Sequence, residues 1–383
     1  MKMISHDRLW HSDFMSLGLV NLLITTSLFL LIPLFPNWVV DGKLGNTFSY
    51  AAAGATFAIG LFLPGPFNSY LVDFYKRKTV CVIAIIAVLL ITFLLNFVAD
   101  LALISFLRLL QGAAFSVAQM SLGSTLVNDL SMSHHRTKAD YYYAWFGRFG
   151  LPLGMFLGMF VLEHWGLMVA WVLSLGMGGV ALLLLSRIYV PFRAPLNTSL
   201  FSLDRFFQPQ SFFLFLNFWP IAILAGLLIG EFYSCQSYAL IMAGFAVALF
   251  SQRALFVDAD LRSEIVSGLL LLGASILLLA TNPVQRVQYL AFPIGGIGLG
   301  WVSSRFLLYF LKLSGHCQRG TLQNTYMLCW ESGISIGFLL SFFFEDKSLF
   351  CLALILIALF LYLVVTHRWF MQHKDRDFKF REI

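Results

Sequence analysis

Apolar residues run through this chain in blocks of about 20 with few charges, the length a helix needs to cross a lipid bilayer. Such blocks stand near 13–36, 47–72, 79–99, 101–129, 141–163 and 167–188, and again near 211–232, 237–256, 264–282, 287–312, 321–344 and 347–367. Inside lipid a backbone must satisfy its own polar groups, so each block predicts a helix. The interval 189–210 holds three of the eleven prolines and reads as a linker between two sets of six. The pattern predicts an all-α membrane protein of twelve transmembrane helices. Its expected divisions are an N-terminal six-helix bundle over 1–190, a linker over 191–210, and a C-terminal six-helix bundle with a tail over 211–383.

Composition agrees and narrows the class. Hydrophobic residues make up 59% of the 383, charged residues 11%, and the mean hydropathy is +0.82. Soluble domains carry about 25% charged residues, so a soluble enzyme, a disordered chain and a nucleic-acid-binding domain are excluded. The 25 Lys and Arg test the layout. Nineteen fall on one side of the expected helices, only Lys43, Arg286 and Lys347 fall on the other, and Arg108, Arg148 and Arg305 lie within spans. Basic residues gather on the cytoplasmic side of membrane proteins, which places the linker and both termini there. The first block lacks a small-residue cleavage site and reads as a retained helix. The five cysteines are odd in number and in no metal-ligand spacing, so neither a disulfide framework nor a metal or other cofactor site is expected.

Two internal matches predict that the halves are parallel repeats of one another. Leu71-Val72-Asp73 with Arg77 echoes Phe256-Val257-Asp258 with Arg262. A shift of 183 positions sets Arg136 on Arg319, Tyr143 on Tyr326, Gly150 on Gly333 and Gly154 on Gly337, and puts Arg148 opposite Glu331.

These residues resemble the major facilitator superfamily. Ser69-Tyr70-Leu71-Val72-Asp73-Phe74-Tyr75-Lys76-Arg77-Lys78 keeps the Leu, Asp and Arg-Lys of the signature that follows the family's second helix, without its glycines or its first Arg. Arg108-Leu109-Leu110-Gln111-Gly112 matches the fourth-helix Arg-x-x-Gln-Gly motif. Gly150-Leu151-Pro152-Leu153-Gly154 with Gly158 looks like a loosened fifth-helix antiporter motif, and Arg319-Gly320-Thr321 leading to Trp330-Glu331-Ser332-Gly333 is similar to the eleventh-helix entry of bacterial drug-efflux members. The resemblance implies a major facilitator fold with two pseudo-symmetric bundles rocking about a central site, in a bacterial inner membrane and as a monomer.

It also implies a cytoplasmic latch, with Asp73 paired to Arg77 and set near Asp129 at the end of the fourth helix; Lys78 joins it, although these bases could serve only to fix topology. Arg108 lies within a span and requires a partner there. It could couple to an anionic group or bond polar groups of the first helix such as Asn21, Thr25 or Thr26. Glu331, about three turns into its span, is the first candidate to carry a proton, with permanent structural pairing as the alternative. Arg148, Gln111 and Glu231 complete the set of cavity candidates, Glu231 with an interfacial role as its alternative, and Arg305 is expected to snorkel to the water. Gly150, Gly154 and Gly158 recur every four residues. They allow close helix packing or, with Pro152, mark the bend that the antiporter resemblance implies. Tyr141, Tyr142 and Tyr143 fit an interfacial aromatic belt.

The expected function is secondary active transport by alternating access: proton-coupled efflux of small amphipathic or drug-like molecules. A nutrient importer on the same scaffold is the alternative, since Asn21, Gln111, Gln119, Asn217, Gln323 and Asn324 could hydrogen-bond a polar solute. The expected partners are a small-molecule substrate, protons and the bilayer, with no nucleic acid. A membrane-embedded enzyme would need a nucleophile with its base, paired acids or a His cluster, and the sequence offers none.

Overall fold

A computed structural model describes residues 8–34, 47–190, 199–231, 234–254, 260–281, 284–314, 318–343 and 347–377. Every regular element among them is helical. In chain order the long helices are α1 Ser12–Leu30, α2 Thr47–Phe62 continued by Asn68–Phe74, α3 Arg77–Leu95, α4 Leu101–Gln119 running through a π-helical stretch Met120–Leu126 into Val127–Leu130, α5 Arg136–Trp165 and α6 Leu167–Arg187. They are followed by α7 Phe212–Glu231, α8 Cys235–Ala254, α9 Leu261–Thr281, α10 Gln285–Lys312, α11 Arg319–Leu340 and α12 Lys347–Leu361, which passes through a π-helical stretch Tyr362–Thr366 into His367–Asp377.

Eleven of these are long and apolar enough to cross a membrane. The exception, α11, has 22 residues but carries Gln323, Asn324, Thr325, Glu331 and Ser332, all buried. Polar side chains are costly against lipid, so α11 is sheathed by protein.

Local chemistry sets the ends. The Asp100 carboxylate accepts from the Leu103 N–H at 2.9 Å and caps α4. Gly166, at φ 83°, turns the chain between α5 and α6. Pro64 and Pro66 lack the N–H that would continue the helix ladder, and α2 breaks there into a short turn before resuming at Asn68. Pro152, by contrast, lies within the unbroken α5.

The chain divides into two compact units, Met1–Phe207 with Tyr233–Ala239 and Gln208–Phe232 with Leu240–Ile383. Both are built on the same helix pairings. In the first unit Gly150, Gly154 and Gly158 of α5 press on the backbone of α1 at Leu22, Thr26 and Leu30. In the second, Gly333 and Gly337 of α11 press on α7 at Ala222 and Ile223. Likewise Gly112 of α4 meets Phe57 and Gly60 of α2, and Gly296 of α10 meets Ile241 and Gly244 of α8. Small residues let backbones meet, and van der Waals contact then holds helices that gain nothing by hiding from lipid.

The α2–α4 and α8–α10 contacts repeat at 184 positions and the α5 and α11 contacts at 183. The first unit therefore carries one more residue between Gly112 and Gly150 than the second carries between Gly296 and Gly333. The π-helical stretch of α4 lies in that interval, where the wider turn holds an additional residue.

Candidate functional site

In the first unit the ends of α2, α3 and α4 bring three of the expected latch residues together. Arg77, at the start of α3, donates from Nη1 to both carboxylate oxygens of Asp129 at 2.8 and 2.7 Å. Its Nη2 reaches Asp73 Oδ1 at 3.2 Å, and its Nε donates to the Val72 carbonyl at 3.3 Å. All three side chains are largely buried, at 7–13% exposure. A forked guanidinium held by two carboxylates is the geometry in which such bonds are strong and directional. Arg205 adds a second cation, its Nε 2.9 Å from Asp73 Oδ2. Lys78 is not part of this group. It donates to the carbonyls of Ser186 and Ile188 at 2.8 and 2.6 Å, where a cation offsets the negative end of α6.

Deeper in the same unit lie two further polar clusters. Arg108 is 5% exposed and donates to Gln111 Oε1 at 2.7 Å, and Gln111 donates in turn to Thr92 of α3 at 2.8 Å. The guanidinium carbon stands 5.3 Å from the centre of the Phe57 ring, a cation–π distance. Asn21, Thr25 and Thr26, its expected neighbours on α1, are engaged elsewhere or make no described bond to it. Asn21 accepts from Gln119 at 2.8 Å and from Thr25 at 3.4 Å, and it donates to the Tyr143 carbonyl at 3.0 Å. Tyr143 is buried and donates its hydroxyl to Gln119 at 3.2 Å, so it leaves the aromatic belt expected of it. Arg148, 3% exposed, stacks at 5.2 Å on Trp145 of its own helix. Thr92 carries no charge and falls in no motif, which is why the sequence does not single it out.

In the second unit Phe218 of α7 stacks between Tyr326, Trp330 and Phe306 with ring centres 5.0–5.7 Å apart. Tyr326 donates to the Ser303 carbonyl at 3.1 Å, repeating at 183 and 184 positions the Tyr143–Gln119 bond of the first unit. Trp219 donates to Ser332 at 3.3 Å. These contacts fix both residues that flank Glu331 in the chain. Glu331 itself is 6% exposed, and its Oε2 has no hydrogen-bond partner among the described residues. Glu231 ends α7, but its side chain lies outside the described residues, as does Asp258.

Arg305 corrects an expectation. It does not snorkel to the water: its Nε lies 2.5 Å from Glu264 Oε2, at 12% exposure, and Glu264 is fully buried. Gln252 of α8 donates to the same carboxylate at 3.3 Å and to Ser304 at 2.6 Å. A buried acid on α9 forces the basic side chain of α10 inward, because an unpaired charge there costs more than an ordered pair. Among the described residues no group of His, Cys, Asp and Glu could hold a metal ion.

The family model for the Major Facilitator Superfamily matches residues 17–338. No curated protein matches in sequence. Among solved structures the chain is similar to the human organic anion transporter MFSD10 (TETRAN), with a TM-score of 0.70 and 17% identity over 91% of this chain and 98% of that one. It is also similar to the POT family transporter PepTSo, with a TM-score of 0.70 and 10% identity over 96% and 99% of the two chains. A third, the nucleoside transporter NupG, has a TM-score of 0.63 and 12% identity over 94% and 99%. At such identities the likeness concerns the fold.

Proposed function

The chain belongs to the Major Facilitator Superfamily, and from that premise we propose that it is a secondary active transporter that exports small amphipathic molecules in exchange for protons by alternating access. The observation that carries this reading is Glu331, an acid buried in α11 with a carboxylate oxygen free of hydrogen bonds among the described residues. An ionised acid is costly at membrane depth unless paired. Such a group can hold a proton while sheltered and release it when its surroundings open to water. In the proposed cycle Glu331 takes a proton from the outer side as substrate leaves, and loses it to the inner side before the next substrate binds.

Arg108 cannot itself be the carrier, since its guanidinium does not deprotonate; its bond to Gln111 supports a fixed, positioning charge. The Asp73–Arg77–Asp129 group is the proposed latch. It joins the ends of three helices through a few bonds that a conformational change can break and remake. The nutrient-importer reading loses ground at three of its six residues, Asn21, Gln111 and Gln119, whose side chains bond within the first unit. The charge asymmetry of the sequence supports cytoplasmic termini, and the resemblance supports a monomer in a bacterial inner membrane.

Reconstitution into liposomes tests the reading. Acid-inside vesicles holding the protein should accumulate a permanently charged dye such as ethidium, and a protonophore should abolish the accumulation. Dye movement indifferent to the gradient would show that transport is not proton-coupled.

A further inference from the structure

The family signature lacks its first Arg here, with Phe74 standing directly after Asp73, yet Asp73 holds two cations. The second, Arg205, comes from the segment that connects α6 to α7, 132 positions along the chain. That segment is seated on the break in α2. The Ser202 N–H donates to the Pro66 carbonyl, in the turn that interrupts the helix, at 2.9 Å. The Phe206 ring, 8% exposed, fills the space that a side chain at Gly65 would need, and it also meets Phe62 edge-on at 6.3 Å. Phe201 lies against Phe67 at 5.1 Å.

Arg205 itself stands at φ 59°, the left-handed region that non-glycine residues rarely adopt. A residue keeps that conformation when its surroundings over-determine it, and here the Asp73 carboxylate on one side and the Phe206 socket on the other do so. The contacts fall on both sides of the broken turn: Phe62 and Gly65 before it, Asp73 at the end of the short helix after it. This end of α2 is therefore held by α3 through Arg77 and by the connecting segment through Arg205.

We propose that Arg205 is a positioning residue of the transport cycle: it clamps segment 202–206 over the break in α2 and shares Asp73 with Arg77, so the conformational equilibrium depends on the connecting segment as well as on the helices. The inference rests on the latch reading of Asp73. The pair is partly solvated, with Arg205 at 27% exposure, so its loss biases the equilibrium without unfolding the protein.

The test uses the full chain in liposomes, with its five native cysteines changed to serine and single reporter cysteines engineered on the two faces of the bilayer. The readout is the ratio of their maleimide labelling rates. Arg205→Gln should shift that ratio roughly twofold to fivefold, the range for a partly exposed ion pair, in the same direction as Asp73→Asn. Arg205→Lys should keep most of the wild-type ratio. Arg205→Gly, which removes the whole side chain at a position whose left-handed backbone suits glycine, should shift the ratio in the same direction as Arg205→Gln. Arg205→Gln combined with Asp73→Asn should equal Asp73→Asn alone. A wild-type ratio in Arg205→Gln and Arg205→Gly, while Asp73→Asn shifts it, would overturn the role of Arg205 and leave the latch standing. No shift in any of them would remove both. Full additivity in the double variant would show that Arg205 acts elsewhere than on Asp73.

Discussion

Replacing Arg77 with Gln removes the cation between two largely buried carboxylates. Breaking a fully buried ion pair from one side costs about 3–5 kcal/mol, because the remaining charge is left uncompensated. Two features reduce that here: the side chains keep 7–13% exposure, and Arg205 still neutralises part of Asp73. The expected loss is about 2–3 kcal/mol. With an unfolding entropy of about 2.1 cal/mol/K per residue, 383 residues convert this to a fall in Tm of about 3 °C. The shift is larger still where the spans keep their helices after denaturation, since less entropy is then gained. Adding Asp129→Asn removes the uncompensated acid and should recover most of the loss. Thermal unfolding of the purified protein in detergent, followed by tryptophan fluorescence, measures both variants. An unshifted Arg77→Gln, or a double variant no more stable than the single, would refute the claim that Asp129 depends on Arg77.

Gly112→Leu and Gly296→Leu should each cost about 1–3 kcal/mol by forcing apart helices that meet at the backbone, whereas Gly176→Leu, with nothing within 4 Å of the added Cβ, should cost little; the yield of monodisperse protein on size exclusion separates them. Arg305→Ala strands the buried Glu264 and should lower stability by about 3–5 kcal/mol, while Arg305→Met with Glu264→Leu should restore it, and equal melting of Arg305→Ala and the wild type would return Arg305 to the solvent. Tyr143→Phe should cost about 1 kcal/mol through the lost bond to Gln119, read by the same melting assay, and a variant more stable than wild type would count against that bond.

The spans were legible because lipid leaves a chain so few choices: a backbone that must bond to itself writes its helices as long apolar blocks. Even α11 could be found, although its Gln323, Asn324 and Glu331 take it below the hydropathy of the other long helices. Half of the repeat could also be read. Tyr143 and Tyr326, or Gly150 and Gly333, stand out at a shift of 183, but Gly60 with Gly244 and Gly112 with Gly296 do not. A glycine among 29 is unremarkable until two backbones meet at it. The change of shift by one residue, at a π-helical stretch the sequence does not announce, hides the match further.

Charged partners were legible only when they were local or carried by a motif. Asp73 and Arg77 are four apart and announce one another, and Asp129 came with the family resemblance. Glu264 and Arg305 are 41 positions apart and depend on how α9 faces α10. Arg205 sits in a segment without periodicity, so its contact with Asp73 is a product of tertiary structure alone.

Transport by the Glu331→Gln variant in vesicles carrying a pH gradient tests the account most directly. The amide keeps the size of the side chain and cannot exchange a proton. The account predicts that this variant folds and is incorporated as the wild type is, still lets substrate equilibrate downhill, and no longer accumulates it against a concentration difference. Accumulation driven by the gradient at the wild-type rate would contradict the account and remove Glu331 from the mechanism.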